Sequence, residues 1–153
     1  MKLTTFTDYS LRVLMYLAAE PDRRATIADI STAFAVSENH LVKVVHSLAK
    51  QGWVATVRGK GGGLMLAKAA DQITVGRVIR DTEGAAMPAE CFGATECHCA
   101  ITHCCQLSGV LGEAVAAFYA VLDRYTLADI TKNREMLLSI LYFRASSPVA
   151  KAP

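Results

Sequence analysis

The sequence predicts a mainly α-helical fold with one small β-hairpin. Three amphipathic segments in the first 52 residues carry apolar residues at helical spacing, and a glycine-rich hairpin pattern follows them. A long and sparsely charged apolar segment after residue 106 predicts a further helix. The chain has 153 residues, of which 52% are hydrophobic, so it can bury a core of ordinary size.

The first helix is predicted to begin at Thr7, as its N-cap, and to end near Glu20, just before a proline. A second helix opens at Thr26, and Ser37 caps a third helix that stops at Gly52. The predicted inward faces are Leu11, Leu14, Met15 and Ala18 of the first helix, Ile27, Ile30, Ala33 and Phe34 of the second, and Leu41, Val44, Val45 and Leu48 of the third.

Two short strands, 53–58 and 64–67, are predicted on either side of the glycine-rich turn 59–63. The glycines fit neither of the common phosphate-binding motifs, so a flexible hairpin tip is the better interpretation. A hairpin directly after a helix-turn-helix is a wing, which makes the predicted unit a winged helix-turn-helix DNA-binding domain. Arg58 and Lys60 are the wing cations that we expect to meet DNA phosphate or the minor groove.

The third helix is the expected recognition helix, because the second helix of a helix-turn-helix motif reads the major groove. Four polar residues lie on its amino-terminal half and away from the apolar stripe, so we expect them to face DNA. The first 70 residues carry nine Lys or Arg against five Asp or Glu, whereas the remainder carries seven against nine. The basic half is therefore the expected nucleic-acid partner. The four polar residues are Ser37, Asn39, His40 and Lys43.

Beyond the wing, Thr74 is predicted to cap a fourth helix that runs to Glu83 and ends at Gly84. The segment 107–125 is apolar around so much of a helix that it needs cover on several sides, so we expect it to pair with a second copy of the chain. These patterns predict a DNA-binding domain at 1–83, a cysteine-rich cluster-binding loop at 84–106, a dimerisation helix and C-terminal helical segment at 107–143, and a flexible tail at 144–153.

All five cysteines and two of the four histidines lie between residues 91 and 105. Soft thiolate ligands at this density predict a metal or redox centre that holds zinc, copper(I) or an iron–sulfur cluster. No apolar run is as long as the about 18 residues that a membrane span needs, and the amino terminus lacks a signal-peptide pattern. We therefore expect a cytoplasmic protein with reduced thiols and no membrane partner.

Several stretches of the chain together resemble one family. The segments 3–18, 58–67 and 122–130, together with the cysteine loop, are similar to the iron–sulfur winged-helix transcription regulators that include IscR, and most similar to the nitric-oxide-sensing NsrR branch. The resemblance covers about residues 1–131. It implies a homodimer that binds a palindromic operator on double-stranded DNA and carries one cluster per subunit, 4Fe–4S in the favoured form and 2Fe–2S in the alternative.

The resemblance also implies a ligand set. Cys91, Cys99 and Cys105 match the three cysteine ligands of the NsrR-like loop. Asp8, which stands here in the sequence Phe-Thr-Asp-Tyr, matches a fourth ligand that the other subunit donates. An acidic residue in the first turn of a helix also offsets the helix dipole, which is its commonest role in proteins at large.

Other ligand sets stay open because the loop contains more donors than a cluster needs. A second register uses Cys91, Cys97 and Cys104, because adjacent thiols can substitute for one another. His98 and His103 lie in the same loop and are rival ligands.

The function that the resemblance implies is that of a repressor which senses nitric oxide and loses operator binding when its cluster is nitrosylated. An iron-status, zinc or thiol-redox regulator that uses the same loop is the alternative, although the loop has no CxxC pair of the kind that zinc sites usually use. An enzyme with a cysteine nucleophile is disfavoured, because clustered thiols suit coordination and no pocket-building domain accompanies them. We therefore expect no enzymatic activity.

Overall fold

A computed structural model describes residues 2–84, 89–92 and 98–146. Helices dominate these ranges, and a single hairpin follows the third helix. The elements are α1 (Thr5–Ala19), α2 (Ile27–Phe34), α3 (Glu38–Lys50), β1 (Val54–Val57), β2 (Gly63–Leu66), α4 (Val75–Glu83), α5 (Gln106–Leu122), α6 (Leu127–Ile130) and α7 (Arg134–Ser146), with single 3-10 turns at Ala70–Gln72, Glu90–Phe92 and Thr102–Cys104.

The N-cap of α1 is Thr4, so the prediction that Thr7 caps this helix was wrong. The Thr7 amide donates to the Thr4 hydroxyl oxygen at 3.2 Å, and the Thr4 amide donates to Glu83 Oε1 at 2.7 Å. The Thr7 side chain is fully buried, and its hydroxyl donates to the Thr82 hydroxyl of α4 at 3.0 Å. Thr7 therefore joins α1 to α4 inside the core.

α1 is the central helix of the predicted DNA-binding domain, and it contacts α2, α3, α4, α6, α7 and β2. The predicted apolar stripe was only partly right. Leu14 is fully buried, whereas Leu11, Met15 and Ala18 are half-buried against the core. A helix that is covered from several directions buries more than one stripe. The buried hydrophobic residues of α1 are Val13, Leu14, Tyr16, Leu17 and Ala19.

The two helices of the helix-turn-helix motif form as predicted. Thr26 is the N-cap of α2 and makes a reciprocal capping box with Asp29. Ala35 closes α2 in the left-handed region at a φ of 54°. Ser37 is the N-cap of α3, as predicted. All four predicted core residues of α3 are buried: Leu41, Val44, Val45 and Leu48.

The wing is an antiparallel hairpin in which Val54 pairs with Leu66 and Val57 pairs with Gly63. Both strands differ in their bounds from the predicted ranges 53–58 and 64–67 by one residue at each end. Trp53, just before β1, is buried in the core, and its carbonyl accepts a hydrogen bond from the Ala67 amide at 3.0 Å. The hairpin is therefore anchored at its base by an aromatic side chain.

α4 has the predicted bounds, with Thr74 as its N-cap and Gly84 at its C-cap. The long helix α5 begins and ends slightly before the predicted range 107–125 and packs against α4. None of its residues is buried in the single chain. Among the helices that the structure describes, none is long and apolar enough to cross a membrane.

The chain turns back after α5, so that α6 packs against α1 and α7 packs against α2 and α1. Leu127 and Leu141 are the buried residues of this return segment that enter the main core. α7 continues to Ser146, past residue 143 where we predicted the helical segment to end. The rest of the predicted tail, 147–153, lies outside the described residues.

Candidate DNA-binding surface and metal centre

The amino-terminal half of α3 presents a polar face to solvent. All four residues that we predicted to face DNA are exposed, while the apolar stripe of the same helix is buried. The two faces of the helix are therefore separated as the spacing indicated. Their roles as DNA contacts stay a prediction for Ser37, Asn39, His40 and Lys43.

Val42 is an apolar residue on the same exposed face, and the helical spacing did not select it. It lies between His40 and Lys43 on the polar half of α3, yet 50% of its surface is exposed. Aliphatic side chains in the major groove contact the methyl group of thymine. The sequence could have pointed to Val42, because it is an apolar residue that lies just outside the buried stripe of α3. We add Val42 to the candidate DNA-contact residues.

The wing tip carries Arg58 and Lys60, and both are exposed. Gly59 and Gly61 have positive φ values of 96° and 76°, which L side chains rarely adopt. The Gly62 amide donates to the Gly59 carbonyl at 2.9 Å and closes the turn. The glycines thus shape the turn that presents the two cations.

Asp8 lies in the first turn of α1, where Arg12 engages it from the next turn. Arg12 Nη2 lies 2.8 Å from Asp8 Oδ2, and Arg12 Nε donates to Asp8 Oδ1 at 3.2 Å. Two parallel contacts of this kind match the planar guanidinium to a carboxylate. The Arg12 and Asp8 side chains are 41% and 46% exposed. Because the pair lies at the surface, its opening costs little.

Arg12 also lies over two aromatic rings. Its Cζ is 5.9 Å from the centroid of the Tyr9 ring and 5.8 Å from that of Phe34, the last residue of α2. The Tyr9 ring centroid lies 6.3 Å from that of His40, which is on α3. Both contacts with Arg12 have the geometry of cation–π interactions. Arg12 therefore links Asp8 directly to α2 and, through Tyr9, to α3.

The structure describes four of the five cysteines. Cys91 and Cys105 are half-buried, and Cys99 and Cys104 are exposed. Cys97 lies outside the described residues, so the choice between the two cysteine registers stays open. His98 and His103, the rival ligands, are both exposed.

Two of the predicted cysteine ligands lie near α5. Cys105 is the N-cap of this helix, where the helix dipole favours a negatively charged group. Cys91 lies in a 3-10 turn beside Phe92, and a Cβ added at Gly112 of α5 would be 3.6 Å from the Phe92 ring. The loop that carries the thiols is thus held at both ends by the long helix.

The predicted ligands do not come together within one described chain. In the ranges 2–84, 89–92 and 98–146, no group of three or more His, Cys, Asp or Glu side chains could hold a metal ion. Asp8 contacts Arg12 there instead of a thiol-bearing loop. The sequence resemblance had implied an Asp8 ligand from a second subunit, and a single chain does not test that prediction.

A second ion pair joins α4 to the end of α5. Arg80 of α4 makes two hydrogen bonds to Asp123, of 2.7 Å to Oδ1 and 2.6 Å to Oδ2, and its Cζ lies 4.3 Å from the centroid of the Tyr119 ring. The hydrogen bonds from Arg80 lower the pKa of the Asp123 carboxyl and raise that of the guanidinium. A Cβ at Gly76 would collide with the Asp123 carboxylate. A glycine on α4 therefore lets this pair form.

A family model described as an iron-dependent transcriptional regulator matches residues 3–133. The chain belongs to the Rrf2 family. Among Rrf2 proteins, it is similar to the HTH-type transcriptional regulator NsrR of Bacillus subtilis, with 46% identity over 142 residues that cover 92% of this chain and 97% of that protein. NsrR of Geobacillus kaustophilus is 45% identical over the same shares of both proteins. The predicted resemblance to NsrR-type regulators is confirmed.

Solved Rrf2-like structures support the same architecture. CymR, the global cysteine regulator of B. subtilis, matches with a TM-score of 0.67 and 28% identity over 87% of this chain and 98% of that one. T. potens IscR matches with a TM-score of 0.69 and 26% identity over 98% of this chain and 94% of that one. The predicted winged-helix fold is confirmed, and the chain is a transcriptional regulator of the Rrf2 family.

Proposed function

We propose that this Rrf2 protein is a homodimeric, DNA-binding repressor that senses nitric oxide through an iron–sulfur cluster. The observation that carries the proposal is the position of Asp8. This expected cluster ligand contacts Arg12, which packs on Tyr9 of α1 and on Phe34 of α2. The Tyr9 ring centroid in turn lies 6.3 Å from that of His40 on α3. A change in the partner of Asp8 therefore reaches the expected recognition helix through direct contacts.

The donor set fits such a cluster. Thiolates of Cys91, Cys99 and Cys105 are soft ligands that suit iron–sulfur chemistry, and Asp8 of the partner subunit would complete the set. A 4Fe–4S cluster bound there would supply iron that reacts with nitric oxide. A carboxylate oxygen is a hard and weak ligand beside three thiolates, so Asp8 is the ligand that is most easily replaced.

The dimer is supported by the uncovered surface of α5. Three apolar residues of this segment, Leu107, Val110 and Val121, are 60%, 62% and 46% exposed in the single chain. Monomeric proteins rarely leave a contiguous apolar face of this kind in water. In our proposal, α5 pairs with its copy, and the division into a DNA-binding domain at 1–83, a cluster loop at 84–106 and a dimerisation segment at 107–143 describes the subunit.

In the conformational step that we propose, the Asp8 carboxylate exchanges one partner for another. As a ligand to a cluster held by the loop of the other subunit, Asp8 would tie α1 to that loop and fix the separation of the two recognition helices. When Asp8 is released, it pairs with Arg12 as in the described chain. A signal changes DNA affinity only if the two conformations differ in their interaction free energies with it, and this exchange supplies such a difference.

The direct test begins with anaerobically purified protein. We expect a brown sample with broad visible absorption, labile sulfide, and tight binding to an operator duplex selected from randomised DNA. Exposure to nitric oxide should bleach the spectrum and weaken operator binding together. If the spectrum changes while operator binding stays the same, the cluster is not the sensor for DNA binding.

A zinc or thiol-redox regulator is the second candidate, because Cys99 and Cys104 are both exposed and two histidines flank them. Serine variants separate the candidates. We expect Cys91→Ser, Cys99→Ser and Cys105→Ser to be colourless or to lose their cluster quickly, whereas Cys104→Ser and Cys97→Ser stay brown. A stable cluster in Cys99→Ser with loss in Cys97→Ser supports the other register. A colourless parent that contains stoichiometric zinc supports the second candidate.

A further inference from the structure

The loop between α1 and α2 pairs with the wing. The Ala25 amide donates to the Leu64 carbonyl at 3.0 Å, and the Leu64 amide donates to the Ala25 carbonyl at 2.7 Å. Ala25 is 3% exposed, so this pairing is part of the packed domain. The loop thus extends the edge of β2 by one reciprocal pair of hydrogen bonds.

The residue before this pairing reaches the tip of the wing. Arg24 Nη1 donates to the Gly61 carbonyl at 2.8 Å, across 37 positions of sequence. Gly61 follows Lys60, one of the two candidate DNA-contact cations of the wing. The hydrogen bond therefore holds the backbone at the point from which Lys60 projects.

Gly63 shows how closely the wing approaches the loop between α1 and α2. A Cβ at Gly63 would lie 2.9 Å from the Ala25 carbonyl oxygen and 3.0 Å from Arg24 Cβ. Gly63 itself has a φ of 155°. A tip built from glycines has high conformational entropy when free, so it needs contacts from outside the hairpin to stay in one conformation.

We infer that Arg24 is a positioning residue for DNA binding, which fixes the wing tip so that Arg58 and Lys60 are presented in one geometry. The inference rests on the proposed DNA-binding function. Arg24 acts here through the Gly61 carbonyl and not through a phosphate. It follows that its hydrogen-bond donor, and not its charge, is what DNA binding requires.

The test compares Arg24→Ala, Arg24→Gln and Arg24→Lys in the full chain, with operator and random duplexes over a series of salt concentrations. Loss of one hydrogen bond should weaken operator binding by Arg24→Ala by about three- to tenfold. The slope of log affinity against log salt should equal that of the parent, because no phosphate contact is lost. Arg24→Lys keeps a donor of nearly the same reach, so it should bind close to the parent, whereas the shorter Arg24→Gln should resemble Arg24→Ala.

Arg77→Ala is the matched control, since it removes the same charge from an exposed arginine of α4. A direct phosphate contact predicts another result, in which the salt slope of both Arg24→Ala and Arg24→Gln falls by about one unit. That result, or parent-like affinity in Arg24→Ala, overturns the inference.

A measurement without DNA separates this inference from the proposed function. We expect ¹⁵N relaxation to show larger amplitudes of motion at the Gly61 and Gly62 amides in Arg24→Ala, and parent-like values in Arg24→Lys. If the parent binds no duplex, the proposed function fails, while the relaxation result still decides whether Arg24 holds the wing. Unchanged relaxation in Arg24→Ala counts against the positioning role.

Discussion

Asp8 has one carboxylate and two proposed partners, and this makes it the most informative residue to change. We expect Asp8→Ala to keep a cluster, because three thiolates remain, but to bind operator more weakly and to lose less binding on exposure to nitric oxide. The loss of affinity should exceed a hundredfold if the exchange is worth about 3 kcal/mol. Operator titrations of holo-protein before and after nitric oxide measure both effects.

Asp71→Ala provides the control for Asp8, because Asp71 is an exposed acid in a 3-10 turn. It should bind and respond like the parent. Should holo Asp8→Ala also behave like the parent, Asp8 is an ordinary first-turn acid. The coupling to DNA would then run through His98, His103 or the loop itself.

Asp129 is the residue whose protonation should show in the stability of the protein. The Lys132 ammonium, with hydrogen bonds from Thr126, holds the pKa of the Asp129 carboxyl well below its usual range. A carboxyl whose pKa is lower in the folded state stabilises the fold above its unfolded pKa, about 3.9, and this contribution is lost as the pH falls further. We expect Asp129→Asn to lower the urea midpoint of cluster-free protein at pH 7, and the difference should shrink below about pH 4.

Two further measurements complete that prediction. Asp71→Asn changes an exposed acid in the same way and should leave the midpoint nearly unchanged at both pH values. A difference between Asp129→Asn and the parent that stays constant down to pH 2 would mean that the carboxylate charge contributes nothing. The capping box of Thr126 and Asp129 would then act through its neutral hydrogen bonds alone.

At the scale of elements, the wing should supply affinity without selectivity. If Arg58 and Lys60 neutralise phosphates, replacement of either by alanine weakens binding to every duplex and lowers the salt slope by about one unit per contact. The order of base preference should survive. Lys68→Ala is the control, because the Lys68 ammonium lies 4.8 Å from the centroid of the Trp53 ring. An unchanged slope in both wing variants removes the wing from the interface.

The recognition helix should supply the selectivity that the wing lacks. Val42→Ala removes two methyl groups from the exposed face of α3, and we expect it to lose preference for thymine at one operator position by roughly fourfold. Binding to random DNA should not change. Selection from randomised duplexes measures the preference, and His46→Ala, a change at another exposed position of α3, serves for comparison. An unchanged base preference in Val42→Ala places this residue outside the interface.

At the scale of the whole molecule, the uncovered face of α5 should control assembly. Val110→Glu places a charge on this face, where two copies would meet with like charges, and such a juxtaposition costs several kcal/mol. We expect the mass by light scattering to fall from two chains to one chain of 16.5 kDa. Operator binding should fall with it, because a dimer covers two half-sites about one helical turn, ~10 bp, apart.

Glu113→Gln changes an exposed polar residue of the same helix and should leave the dimer intact. A dimeric Val110→Glu variant with normal operator binding would exclude this face from the subunit interface. Iron content gives an independent readout. If Asp8 of the partner subunit is a ligand, a folded monomer should hold its cluster less well than the dimer does.

The sequence by itself determined those features that depend on neighbours within a few positions. The stripe of α3, the cap at Thr26, the end of α4 at Gly84 and the glycine turn of the wing follow from helical spacing, capping chemistry and φ preferences. The density of thiols between 91 and 105 likewise pointed to coordination chemistry without any fold. Long-range geometry was not needed for any of these predictions.

The tertiary structure decided the contacts between residues that are distant in sequence. It placed Thr7 against Thr82 in the core, and not at the cap, because α4 packs on the first turn of α1. It also brought Arg24 to Gly61, and Arg12 to Phe34. Local patterns cannot report such pairs, since their free energy is gained only when the whole domain packs and closes the loops between them.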